Sequence, residues 1–170
     1  MPTHPARHPG ASWDDRVATF WAGADDAHPE DAWAALEPLL AERPEGDAAA
    51  AFERASLHDM LGEEHAAIPH YRAALATGLD PERQGYATVQ LASTLRNVGR
   101  FDEAVALLEP VADDERLGPA ARAFLALTLH DLGRRSDALR LVLADHAPAV
   151  PLYGRALAEY AALLPRDEPA

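Results

Sequence analysis

Cysteine is absent from the 170-residue chain, which excludes disulfide bonds and thiolate metal sites at once. Lysine is absent as well, so arginine alone supplies permanent positive charge. With alanine and proline abundant, we read the missing lysine as codon bias rather than chemistry. Positive charge is also outnumbered: 15 basic residues face 28 acidic ones, for a formal charge of −13. Phosphate backbones and anionic lipid surfaces repel such a molecule, so neither nucleic acid nor a membrane is an expected partner. Long apolar runs are missing, and stretches such as residues 123–127 fall far short of the roughly 20 residues that span a bilayer. No glycine-rich phosphate loop occurs. The histidines lack zinc-type spacing: His65 and His70 fall on different helix faces, and His4 and His8 lie in a proline-broken arm. No metal and no cofactor is expected. The opening stretch, MPTHPARHPGAS, has no apolar core. Residues 1–12 are therefore expected to form a flexible arm rather than a secretory signal, with the cytoplasm as the default address.

What the chain does contain is a repetition. STLRNVGRFDEAVALL at 93–108 is echoed by LTLHDLGRRSDALRLV at 127–142, with Gly99 and Gly133 in register 34 residues apart. A third segment, SLHDMLGEEHAAIPHYRAAL, fits the same frame through Gly62. Seven residues before each glycine stands an alanine (Ala55, Ala92, Ala126), and five after it another (Ala67, Ala104, Ala138); Tyr71, Leu108 and Val142 follow four residues later. Small residues at fixed places let two helices cross closely, and the glycine supplies a sharp turn between them. Leu91, Ala92, Leu95 and Val98 form one helical stripe, repeated by Leu125, Ala126, Leu129 and Leu132. Pro81 and Pro119 suit first helical turns, and acidic residues open every second helix, from Glu30 and Asp31 to Asp137. A weaker unit precedes these, with a first helix near Trp13 to Gly23 and a second carrying Ala32 and Leu36, but Ala27 stands where its turn glycine belongs.

A period near 34 with these alanine positions resembles the tetratricopeptide repeat, and HDMLGEEHAAIPHYRAAL with QLASTLRNVGRFDEAVALL is similar to the small bacterial proteins grouped as tetratrico peptide repeat, group five. The resemblance covers roughly residues 13–164 and departs from the common pattern at Ala51, Thr88 and Arg122, where a large aromatic often stands. It implies an all-α fold: a right-handed superhelical array of antiparallel helix pairs, about four units with the first divergent, ending in a capping helix. The expected units are 13–46, 48–81, 82–118 and 119–148, followed by a cap at 150–164 and a tail at 165–170. Leu152, Ala156, Tyr160 and Leu163 share the face on which that cap would dock. The family has no agreed activity; the resemblance implies a protein-binding role and suggests a homodimer.

Chemistry finds little purchase. Adjacent residues on a helix point about 100° apart, so His58–Asp59 and His130–Asp131 are not expected to pair, and His58 reads as a hydrogen-bonded core histidine. No nucleophile elbow or oxyanion loop accompanies Ser56 or Ser93, and an enzyme is not expected. Arg54 occupies the position of Leu91 and Leu125; its stem is expected along the core with its head reaching water rather than paired with an acid. Pro38, Pro69 and Pro110 should kink or end their second helices.

The expected function is that of an adaptor binding a protein or peptide along the inner face of the first helices. The candidate groove residues are Phe52, Ser56, Tyr86, Gln90, Ser93, Arg96, Asn97, Phe124 and His130, with Arg96 as a central donor flanked by Phe52 and Phe124. Glu53 falls on the same stripe, Asp59 on the same face, and Trp21 joins them if the register of the first helix allows. The alternative is a self-associating homodimeric subunit with no separate ligand.

Overall fold

The computed structural model describes residues 11–167, and all of their regular structure is helical. Four pairs succeed one another: α1 (Trp13–Gly23) and α2 (Pro29–Ala41), α3 (Ala48–Met60) and α4 (Glu64–Thr77), α5 (Pro81–Asn97) and α6 (Phe101–Leu108), α7 (Gly118–Asp131) and α8 (Arg135–His146). A last helix, α9 (Gly154–Leu163), follows. Each helix packs on the next in sequence. None among the described residues is long and apolar enough to cross a membrane. Most of the arm expected at 1–12, and the end of the tail expected at 165–170, lie outside the described residues. Within them, Ser12 caps α1 through a reciprocal pair of bonds with Asp15.

The three turn glycines all take left-handed backbone, with φ of 71° at Gly62, 77° at Gly99 and 81° at Gly133. Each closes its first helix with the same two bonds. The glycine N–H returns to the carbonyl of Asp59, Arg96 or His130 at 3.0 Å; the next N–H returns to His58, Leu95 or Leu129 at 2.8, 2.9 and 2.8 Å. The sequence pattern at these turns is thus a backbone pattern. The alanines before and after each glycine are all buried, and so are Tyr71 and Leu108. Together with Leu91, Leu95, Leu125 and Leu129 they form one continuous core from α3 to α8. A smaller cluster joins Ala32, Leu36 and Leu40 of α2 to Leu57 of α3, with Phe20, Trp21 and Trp33 against it.

Of the kink or end expected at the second-helix prolines, the end does not occur at Pro38 and Pro69, since α2 runs on to Ala41 and α4 to Thr77. Only α6 stops early, passing at Leu108 into a 3-10 turn, Glu109–Val111, that holds Pro110. Proline removes one helical bond, and tertiary packing over the remaining turns outweighs that loss in α2 and α4. The cap helix docks by a different face. Leu152, Tyr160 and Leu163 are 94%, 68% and 79% exposed, and Ala161 is the residue α9 buries. Small size decides this rotation: a Cβ at Gly154 would lie 2.3 Å from the Ala147 carbonyl oxygen, so only glycine allows so close an approach. The chain beyond α9 fixes it further. Arg140 donates to the Leu164 and Pro165 carbonyls at 2.9 and 2.6 Å, and Asp167 accepts from the Ser136 and Asp137 N–H groups at 2.6 and 3.1 Å. Asp167 so supplies the N-terminal cap that α8 otherwise lacks. Val142, in register with Tyr71 and Leu108, stays half open because α9 does not cover it.

Candidate functional site: a cleft between α1, α3 and α5

First helices of successive pairs touch where α3 meets α5 and α5 meets α7, whereas among the described residues the α1 backbone comes close to α2 alone. The divergent first unit, without its turn glycine, stands off from α3. Side chains bridge the gap, and a cleft of about 910 Å³ lies within it. α1 contributes Asp14, Val17, Ala18 and Trp21; α3 contributes Phe52, Glu53, Ser56, Asp59 and Met60. From α5 come Glu82, Arg83, Tyr86, Gln90, Ser93 and Asn97, with Asp80 at its cap. Apart from Arg83, the α5 positions recur every three or four residues and so form one helical face.

Two carboxylates sit in the floor. Glu53 is only 3% exposed. It accepts the Trp21 indole N–H at 2.6 Å, which ties α1 to α3, and Arg83 Nε lies 3.6 Å from its other oxygen. Burial pushes the Glu53 carboxyl above the usual carboxylate range, more than the Trp21 and Arg83 donors pull it down. Asp59 is raised by burial as well, against the hydroxyls of Thr94 and Tyr71 at 2.8 and 3.3 Å. Thr94 Oγ1 is also 2.8 Å from the Gln90 carbonyl. One hydroxyl proton cannot serve both acceptors, so Asp59 is incompletely satisfied while ionised. Between the two carboxylates, one turn from each, Ser56 is 8% exposed; its Oγ acts on the Tyr71 hydroxyl but makes no well-formed hydrogen bond among the described residues, and neither does the buried Gln90 Oε1. Arg83 is committed at one end, to Asp14, Asp80 and Glu53.

Of the groove residues read from the sequence, Phe52, Ser56, Tyr86, Gln90, Ser93 and Asn97 line this cleft. Arg96, Phe124 and His130 do not. Arg96 Nε donates to Asp131 Oδ2 at 2.6 Å, tying α5 to the turn end of α7. Phe124 is half buried against the main core, and His130 is exposed. His130 Nδ1 comes within 3.5 Å of Asp131 Oδ1, so this adjacent pair does meet, contrary to the expectation from helical geometry. His58 and Asp59 stay apart: His58 Nδ1 is 2.6 Å from Glu63 and its ring stacks on His70. The Arg54 head lies 5.8 Å over the Trp33 ring, half buried and facing an aromatic instead of an acid. Sequence reasoning placed Glu53 and Asp59 on the inner face but not in the site, and it left out Asp14, Val17, Ala18, Met60 and Arg83. The i, i+3 spacing of Glu53, Ser56 and Asp59 was the available signal on α3. For α1 there was none, because its register had no glycine anchor.

Residues 48–164, α3 through α9, match the family described as tetratrico peptide repeat. The chain belongs to that family. No curated protein and no solved structure matches the chain. Tetratrico peptide repeats are scaffolds for protein–protein interaction and are generally non-enzymatic. One wall of the cleft, α1, lies outside the matched residues.

Proposed function

We propose that this protein is a binding adaptor, and that the cleft between α1, α3 and α5 receives an extended segment of another protein. The observation that carries this is the coincidence, in one open cleft, of the aromatic rings Trp21, Phe52 and Tyr86 with the unbonded polar atoms of Ser56 and Gln90. A buried polar atom without a partner costs free energy that a bound segment recovers, while the rings take apolar side chains. Arg96 belongs in this picture as a strut between repeats rather than as the clamp. Its bond to Asp131 holds α5 and α7 in register beside the cleft.

A second reading, self-association, is favoured by a specific surface. Tyr153, Tyr160 and Leu163 form an exposed apolar stripe on α9, flanked by Arg155 and Glu159. That arrangement is self-complementary when two α9 helices meet antiparallel, with Arg155 of each beside Glu159 of the other. One experiment separates the readings. A photoreactive benzoylphenylalanine at Ser93 should yield an adduct with a second protein in host lysate, whereas the same group at Tyr160 should yield, if anything, a self-adduct. Adducts only from Tyr160 would exchange the first reading for the second. A partner captured equally from Tyr160 and Ser93 would remove the cleft from its role.

A further inference from the structure

Resting on the reading of the cleft as a segment-binding site, we propose that its occupant presents a lysine or arginine side chain, whose cationic head enters beside Asp59, Ser56 and Gln90. Among the described residues the cleft is lined by five carboxylates, at Asp14, Glu53, Asp59, Asp80 and Glu82, against the single guanidinium of Arg83. That guanidinium serves one end only, where it bonds Asp14 and Asp80 and approaches Glu53. Among the described residues the other end has no cation, and Asp59 is held by two hydroxyls and forms no ion pair.

The unbonded atoms adjoin this end, Ser56 lying one turn from Asp59 as it does from Glu53. Ser56 Oγ and Gln90 Oε1 are buried there without a well-formed hydrogen bond among the described residues, so a small side-chain rotation would turn their lone pairs toward an occupant. An ammonium or guanidinium carries only donors, three or five of them, so it suits the carboxylate of Asp59 and the amide oxygen of Gln90, and the Ser56 hydroxyl can accept from it while its own proton turns to another acceptor. Phe52 and Tyr86 supply the ring faces and edges over which an alkyl stem and a cationic head pack. A carboxylate or phosphate would meet like charge here. A metal ion does not fit either, since no three acidic or imidazole groups among the described residues converge to hold one.

The shape selects a chain segment over a free amine. The lining positions run along α5 from Glu82 to Asn97, about 22 Å at the helical rise per residue. An extended segment of about six or seven residues spans that length.

The test uses four acetylated and amidated heptapeptides, Gly-Ala-Ala-X-Ala-Ala-Gly, with X arginine, lysine, glutamine or glutamate. Binding is read calorimetrically and at the Trp21 indole N–H resonance, whose donor bond lies in the cleft. The arginine and lysine peptides should bind about tenfold more tightly than the glutamine peptide, with the glutamate peptide weakest. Asp59→Asn should reduce that advantage to about twofold or less. Ser56→Ala, which removes a hydroxyl with no well-formed hydrogen bond among the described residues, should weaken the arginine peptide by about threefold without changing helicity. Four peptides that all shift Trp21 with equal affinity would overturn the cationic selectivity and leave the cleft as a binding site. Peptides that leave Trp21 unmoved would overturn both. Butylguanidinium bound as tightly as the arginine peptide would overturn the segment in favour of a small free cation. If Asp59→Asn loses helicity, the Ser56→Ala result decides, and an unchanged affinity there overturns the proposal.

Discussion

Replacing Gly99 by alanine isolates what the turn glycines do for the array. A Cβ at Gly99 would find nothing within 4 Å, so no steric clash contributes. What remains is backbone strain, because φ is +77°. Left-handed backbone costs an L-residue about 1–2 kcal/mol, partly offset by the smaller entropy of an alanine-bearing unfolded chain. The net loss should be about 1 kcal/mol, or a fall in Tm of about 3 °C for a chain of this size. Gly62→Ala and Gly133→Ala should match it, since they share the same φ region, the same open space and the same closing bonds. Gly23→Ala is the control. It ends α1 without left-handed backbone and also in open space, so alanine should be neutral or stabilising by up to about 1 kcal/mol. Urea unfolding followed by circular dichroism, at unchanged m, measures all four. Turn substitutions that cost nothing, or a Gly23→Ala cost equal to theirs, would refute the assignment of these glycines to strain-bearing turns.

Leu36→Ala empties a fully buried site in the small α1–α3 cluster and should cost about 3 kcal/mol; hydrogen exchange should show protection lost first in α1 and α2, because that cluster is separate from the main core. Glu53→Gln keeps an acceptor for the Trp21 N–H and removes a buried charge. Because burial holds the Glu53 carboxyl above its ordinary value, its contribution to stability is present at low pH and is lost as pH rises through the folded value. The variant should therefore gain on wild type as pH rises from the ordinary carboxylate range upward in paired thermal melts, and a constant difference would count against a buried ionising Glu53. Asp167 behaves oppositely, since its bonds to the Asp137 and Ser136 N–H groups lower its pKa. Asp167→Ala should lower exchange protection in α9 and the first turn of α8 at neutral pH, an effect that fades in wild type as acid protonates the carboxyl.

The array was legible in the sequence because its determinants are local and repeated. A left-handed turn demands glycine and a close helix crossing demands alanine, and both demands recur at each unit, as Gly62, Gly99 and Gly133 with Ala55, Ala92 and Ala126 show. The rotation of α9 was not legible. Leu152, Tyr160 and Leu163 look like a docking face to hydropathy alone, and the choice rests on Gly154 fitting against the Ala147 carbonyl and on Arg140 and Asp167 holding the chain beyond. The α3 and α5 walls of the cleft followed from periodicity, so Phe52, Ser56, Tyr86, Gln90, Ser93 and Asn97 fell into place. Arg96 did not, because an arginine on a helix face carries no sign of the aspartate 35 positions away that takes its donor. The α1 wall depends on how far a divergent pair stands from its neighbour, a distance set by tertiary packing around Trp21 and Glu53 rather than by any repeat position.

Met60 lines the cleft and is one of only two methionines, so its methyl group offers an isolated probe there. With the protein carbon-13-labelled at methionine methyls and bound to the arginine heptapeptide, the central claim calls for intermolecular NOEs between that peptide and the Met60 methyl, accompanied by NOEs to the Tyr86 ring. Peptide NOEs confined to Tyr153, Tyr160 and Leu163 on α9, with Met60 silent, would contradict it.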